Sequence, residues 1–147
     1  MMEKVEFKHI LPIQMRFNDF DTLGHLNNTV YFSFYDLGKT TYFEAVLREK
    51  IDRTNLDLVI AHIEVDFISP VSPAENIAVQ TAVVEIGRKS FKLFQQLIDV
   101  DTKDVKCVCR TVMVGFDVRT NTSKLLSDRW KEAITRYEGR NDLIRSV

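Results

Sequence analysis

Arg16-Phe17-Asn18-Asp19-Phe20-Asp21-Thr22-Leu23-Gly24-His25-Leu26-Asn27-Asn28-Thr29-Val30-Tyr31 gathers two carboxylates, a glycine, a histidine and two asparagines in one short run. A carboxylate can attack a carbonyl carbon or take a proton from water. The first-turn N–H groups of a helix lack partners inside the helix and carry the positive end of its dipole. If a helix starts at Asn27-Asn28, a carbonyl oxygen placed there is polarised, and the oxyanion formed on attack is stabilised. Gly24 lets a substrate come close to the backbone. The run therefore reads as an acyl-transfer site without serine or metal. The same residues also suit a plain turn and a plain helix start, because Asp favours turns and Asn favours N-caps. On residue types alone both readings stand.

Other catalytic sets are missing from the sequence. It contains no G-x-S-x-G elbow, no H-E-x-x-H, no glycine-rich phosphate loop and no G-x-G-x-x-G. His9, His25 and His62 lie far apart, without metal-ligand spacing. Serine-triad, metal-hydrolase and nucleotide-dependent chemistry are thereby disfavoured.

The elements that must hold the run follow from periodicity. A first strand is expected over 9–17, ahead of a polar turn at 18–24. A helix follows over 28–50, capped by Asn27 or Asn28 and ending near Arg48 and Lys50, where positive charge suits the dipole. Val30, Tyr31, Phe32, Phe34, Tyr35 and Leu37 cover most of its early circumference, which implies a helix surrounded by protein. Its far end, with Glu44, Arg48, Glu49 and Lys50, should emerge into water.

The rest reads mainly as strands. Val59, Ala61, Ile63, Val65 and Phe67 alternate with His62, Glu64 and Asp66, the pattern of a half-buried strand. Ser69-Pro70-Val71-Ser72-Pro73 breaks the chain. Long strands are expected over 75–86, 90–100 and 105–116, joined by tight turns at Gly87-Arg88-Lys89 and Asp101-Thr102-Lys103-Asp104. Connections that short require antiparallel pairing. A short helix over 128–137 closes the chain. The expected class is α+β, a single domain over 1–147 in which an antiparallel sheet curls around one long helix. The sheet's second face and two edges remain, so self-association is expected.

Composition narrows the context. The chain has 147 residues, with 45% hydrophobic and 28% charged side chains, as expected of a globular protein. Twenty Lys plus Arg against 21 Asp plus Glu leave a net charge of −1. That balance argues against nonspecific nucleic-acid binding, which needs a broad basic surface. Cys107 and Cys109 share one strand face, are poorly placed to bridge, and read as small buried residues in a reducing compartment. The charged residues 1–8 do not resemble a signal peptide, and no apolar run is long enough to span a membrane. The expectation is a cytoplasmic protein with no membrane partner.

The run D-x-D-x-x-G-H-x-N-N-x-x-Y, from Asp19 to Tyr31, resembles the signature of hotdog-fold acyl-CoA thioesterases of the 4-hydroxybenzoyl-CoA thioesterase type. Asp36-Leu37-Gly38-Lys39 resembles that family's acidic-x-small-basic stretch, with Asp and Lys where the family usually carries Glu and Arg. Phe67-Ile68-Ser69-Pro70 resembles its strand-ending proline, and Gly87-Arg88-Lys89-Ser90-Phe91 its turn between long strands. The resemblance covers residues 9–135. It implies a long helix wrapped by an antiparallel sheet, and hydrolysis of an acyl-CoA to a free acid and coenzyme A with no metal or organic cofactor.

Residue by residue, the resemblance makes Asp21 the catalytic carboxylate, as nucleophile or as general base. It puts the polarising N–H at Asn28. His25 would orient the carboxylate, hold water or contact substrate, or else be a structural histidine of a tight loop. Asp19 would be structural. Gly24 and Tyr31 would line the substrate path, and Arg88, Lys89 and Ser90 would meet the phosphates of coenzyme A. His62 is expected at the surface or an interface. Family members form dimers and tetramers, with the active site at the dimer interface, so Arg88 and Lys89 would serve a neighbouring protomer. Two alternatives remain: a thioesterase acting on acyl carrier protein, and a noncatalytic acyl-CoA-binding protein of the same fold.

Overall fold

A computed structural model describes residues 5–52 and 54–144. The charged N-terminal stretch thus begins outside the described residues. Along the chain come β1 (His9–Pro12), a 3-10 turn (Phe17–Asp19), α1 (Asn28–Leu47), β2 (Leu58–Phe67), β3 (Ile77–Ile86), β4 (Ser90–Asp99), β5 (Val105–Asp117), β6 (Thr122–Ser123) and α2 (Asp128–Glu138). Among the described residues the strands form one antiparallel sheet in the order β1-β3-β4-β5-β2, with the short β6 against β5. The tight turns foreseen between β3, β4 and β5 produce this meander. β1 and β2 are its edges.

One face of the sheet receives α1. The first half of the helix buries Tyr31, Phe34 and Tyr35 against Val71, Ile77, Val79, Leu97, Cys107 and Cys109. The second half buries Tyr42, Phe43 and Val46 against Ile86, Phe91, Leu93 and Trp130 of α2. Between them Gly38 lets helix and sheet touch. A Cβ there would sit 2.7 Å from Val79 Cγ1 and 2.9 Å from Gln95 Nε2. The Gln95 amide donates to the Tyr35 carbonyl and to the Thr81 hydroxyl, both at 3.0 Å. This long helix wrapped by a curved antiparallel sheet is the α+β hotdog arrangement.

α2 closes the far end. Ser127 caps its first turn, and the Trp130 indole donates to Asp57 at 2.7 Å. Tyr42 donates to the buried Glu138 carboxylate at 2.5 Å, and the Val83 amide donates to the same oxygen at 3.3 Å. β1 pairs β3 only as far as Thr81, so Glu138 serves an edge amide that no strand reaches.

Several elements differ from the sequence reading. β1 ends at Pro12 rather than at 17, because β3 begins at Ile77 and offers no edge beyond the Ile13 amide, which donates to the Ile77 carbonyl. α1 stops at Leu47 rather than 50. Arg48 turns left-handed at φ 59°, and the Ile51 amide donates back to Glu44. β3 starts at Ile77 rather than 75, because Glu75 is taken by a turn with Ser72. β6 was not foreseen. β2 carries a bulge between Ile60 and His62. Leu58 and Ile60 therefore face the same side as Ile63, Val65 and Phe67, and the even alternation from Val59 is broken at Ala61.

The expectation that protein surrounds the early helix also fails within one protomer. Leu37 is 54% and Phe32 40% exposed. Cys107 and Cys109 are buried and unbridged on the face under α1. Burial pushes the Cys107 thiol up to about 11 and raises that of Cys109. No helix among the described residues is long and apolar enough to cross a membrane.

Candidate functional site

The run from Asp19 to Asn28 is a small hairpin set against the start of α1. Phe20 and Leu26 pair across it. The Asp21 amide donates to the His25 carbonyl at 2.9 Å, and the Gly24 amide donates to the Asp21 carbonyl at 3.0 Å. Gly24 takes φ 78°, a left-handed conformation that costs other residues roughly 1–2 kcal/mol. The turn thus requires glycine for its backbone, whatever else Gly24 does.

Asp21 is held by its own loop. Its Oδ1 accepts the amides of Leu23 at 2.9 Å and His25 at 3.3 Å. Its Oδ2 has no partner among the described residues, so one carboxylate oxygen is fixed by backbone and the other faces outward. The His25 imidazole also has no hydrogen bond among the described residues; only its backbone ties the loop. Asp21, Gly24, His25 and Asn28 are all exposed. Phe17 and Leu23, on either side of Asp21 in sequence, are 95% and 78% exposed.

Buried Asp19 anchors the entrance. It accepts the Arg16 amide at 2.8 Å and the Arg16 guanidinium at 3.1 Å, while its carbonyl takes the Asn27 amide at 2.9 Å. Asn27 is the N-cap of α1. Its Oδ1 accepts the Thr29 amide at 3.0 Å, and its carbonyl accepts the Val30 amide at 2.9 Å. The Asn28 N–H is left outside both bonds and outside the helical ladder, available to an acceptor at the positive end of the dipole.

Sequence reasoning passed over the floor of the site. The Leu26 amide donates to the carbonyl of fully buried Val71 at 2.9 Å. Val71 had shown only as part of a chain-breaking stretch. Tyr31, one turn into α1, is buried, with its ring edge-on to Phe67 at 5.0 Å. Burial, helped by nearby Cys107 and Glu75, pushes its phenol up to about 12.

Arg88 and Lys89 form an exposed turn closed by the Gly87 amide donating to the Ser90 carbonyl at 2.7 Å. That turn follows Ile86, whereas the Asp21 loop lies by the Ile77 end of β3. At about 3.3 Å per residue the length of β3 separates them by roughly 30 Å. Within one protomer the two halves of the expected site do not meet. His62 is exposed and turned to the sheet face away from α1, where it borders a cavity of about 440 Å³ with Glu64, Lys92, Phe94 and Arg110. A second cavity, of about 410 Å³, is lined by Asp57, Phe116, Arg119 and Lys124. Neither borders Asp21. Among the described residues no three His, Cys, Asp or Glu side chains converge as metal ligands.

Residues 15–134 match the model of the thioesterase-like superfamily. A Thermus thermophilus thioesterase solved with coenzyme A and zinc superposes with a TM-score of 0.80 at 26% identity, over 91% of this chain and 96% of that one. Protein SAV2348 of Staphylococcus aureus, solved with coenzyme A, superposes with a TM-score of 0.78 at 15% identity, over 99% of this chain and 92% of that one. The uncharacterised protein YsmA of Bacillus subtilis is 23% identical over 90 residues, and the match spans 61% of this chain but only 60% of that relative's length.

Proposed function

The chain belongs to the thioesterase-like superfamily, and from that premise we propose that it is an acyl-CoA thioesterase whose reacting carboxylate is Asp21. It converts an acyl-CoA and water to a carboxylic acid and coenzyme A. The observation that carries this reading is the asymmetry of Asp21, with Oδ1 fixed by two backbone amides and Oδ2 unbonded beside a helix start. The coenzyme A bound in two related structures supports the substrate class.

In this reading the thioester carbonyl lies against the Asn28 N–H, which stabilises the oxyanion as the C–S bond breaks. Oδ2 of Asp21 either attacks the carbonyl carbon, giving a mixed anhydride that water then hydrolyses to the free acid, or takes a proton from a water that attacks the carbonyl carbon directly. His25 contacts water or the acyl group, and Gly24 and Tyr31 border the substrate path. Coenzyme A leaves as the thiol after protonation.

Arg88, Lys89 and Ser90 bind the phosphates from a second copy. The outer edge of β2 pairs with no strand among the described residues, and β2 carries exposed Ile60, Ile63 and Phe67. Two copies of β2 joined antiparallel across a two-fold axis exchange ends. The Phe67 end, next to Tyr31, then lies beside the Leu58 end of the other copy, which pairs with Gly115 and so reaches the Lys89 turn. A homodimer, or a tetramer built from two such dimers, completes the site. The unbridged cysteines favour a cytoplasmic setting.

The test is thiol release from a panel of acyl-CoAs, aliphatic C4 to C18 plus benzoyl and phenylacetyl, with Asp21→Asn run alongside wild type. The expected loss is about a hundredfold or more in kcat. Hydrolysis that survives Asp21→Asn would refute the assignment of the carboxylate. A folded wild type inert on every acyl-CoA would redirect the reading to an acyl carrier protein substrate or to binding alone.

A further inference from the structure

We propose that Lys106 and Glu75 form a positioning clamp that sets the Asp21 carboxylate through the backbone of Val71. This rests on the assignment of Asp21 above. Lys106 and Glu75 pair at 2.6 Å, and their side chains are only 10% and 18% exposed. The Lys106 ammonium also donates to the Pro70 carbonyl at 3.4 Å. The other carboxylate oxygen of Glu75 accepts the Ser72 amide at 2.9 Å. The pair thus grips the backbone on both sides of Val71. The Lys106 carbonyl adds a third hold by accepting the amides of Ile68 and Ser69.

From Val71 the path to Asp21 is short. The Val71 carbonyl takes the Leu26 amide, Leu26 pairs with Phe20, and Asp21 follows Phe20 in the chain. Ion pairs this dry add little net stability over an apolar replacement of similar shape. This pair adds direction instead: the cation binds a carbonyl and the anion an amide of the same short turn. An apolar pair would leave both backbone groups without those partners. The exposed Asp21 loop makes few tertiary bonds of its own, so its register on α1 follows from where Val71 is held.

The test compares Lys106→Met, which keeps the aliphatic stem, with Lys106→Arg, which keeps charge and donors, and with Asp21→Asn. Kinetics are measured well below each variant's melting temperature, on a thioester the wild type hydrolyses. Lys106→Met is expected to lose about tenfold or more in kcat with KM within about twofold, because small misplacements of a reacting group cost rate rather than binding. Lys106→Arg should restore kcat to within about threefold. Amide exchange gives a readout independent of activity. The Leu26 amide should exchange about tenfold faster in Lys106→Met, while that of distant Val83 keeps its rate.

Unchanged kcat or unchanged Leu26 exchange in a folded Lys106→Met overturns the proposal, even if its melting temperature drops. If Lys106→Met does not fold, Glu75→Gln takes its place. Wild-type kcat or wild-type Leu26 exchange in that variant would overturn the clamp equally. If Asp21→Asn keeps wild-type turnover, the assignment of Asp21 fails, and Leu26 exchange alone judges the clamp. If Asp21→Asn is dead while Lys106→Met keeps wild-type kcat, only the clamp fails.

Discussion

Tyr31 and Phe67 meet edge to face, ring centroids 5.0 Å apart at 78°, and so join the first turn of α1 to the last residue of edge strand β2. The contact ties the helix start, where the Asn28 N–H lies, to the exposed strand end through which a second copy is proposed to dock. Phe67→Ala removes a ring pair worth about 0.5–1.5 kcal/mol beyond area burial. For a domain of this size the melting temperature should fall by roughly 2–6 °C, read by calorimetry. Phe67→Leu, which keeps bulk without the ring, should recover part of that drop.

The free edge of β2 predicts an assembly. Ile63→Lys places a charge at the middle of that edge, where the side chain is 36% exposed in one protomer. Size-exclusion chromatography with light scattering should show wild type as a dimer or tetramer and the variant shifted to monomer, with thioesterase activity lost in proportion. A monomeric wild type would remove the argument for a shared site.

Gly38 should tolerate no side chain. A Cβ there would press on Val79 Cγ1 at 2.7 Å, inside the packed face between α1 and the sheet. Gly38→Ala is expected to destabilise the protein by about 1–3 kcal/mol, as overpacking does, despite the better helix propensity of alanine. Urea unfolding gives the figure directly. Stabilisation by Gly38→Ala would mean that α1 sits further from β3 than described.

Glu138 links stability to pH. Burial raises its carboxyl above the usual 4.5, and the Tyr42 hydroxyl and Val83 amide only partly offset that. A carboxyl raised in the folded state adds stability that is fully present below its unfolded value and is lost as pH rises through its folded one. Glu138→Gln keeps an acceptor for Tyr42 and Val83 but does not titrate. In melts from pH 4 to 8, wild type should therefore lose ground against Glu138→Gln as pH rises above about 4.5. A gap that widens in favour of wild type would reverse the sign.

Cys107 and Cys109 should be chemically silent in the folded protein. Burial pushes Cys107 up to about 11 and raises Cys109, and both side chains are closed off beneath α1. An aromatic disulfide reagent should detect no thiol in native protein and two after denaturation. Fast native labelling of either would show that the face under α1 opens.

The legibility of this protein divides by range. Spacing of one to four residues carried the Asp21 loop, the capping of α1 by Asn27 and the long strands with their tight turns, because turns, caps and pleats are local rules. Where a feature depended on pairing, the sequence fell short. The bulge at Ala61 reverses which side Val59 faces, because register is set by the partner strand β5 and not by alternation within β2. Phe32 and Leu37 read as core by composition, yet in one protomer they face outward, because burial depends on what packs beside the helix.

The same division runs through the candidate site. The grouping of Asp21, Gly24, His25 and Asn28 was readable because one hairpin holds all four within eight positions of chain. Three connections come from tertiary structure. The grip of Lys106 and Glu75 on the Val71 turn and the length of β3 between Asp21 and Arg88 are two of them. The burial of Glu138 under Tyr42 is the third. Each joins residues whose relation is set by the twist and register of a folded sheet, and side-chain types along a chain do not encode those distances. The sequence alone settled which groups could act; the tertiary structure decided which of them stand together.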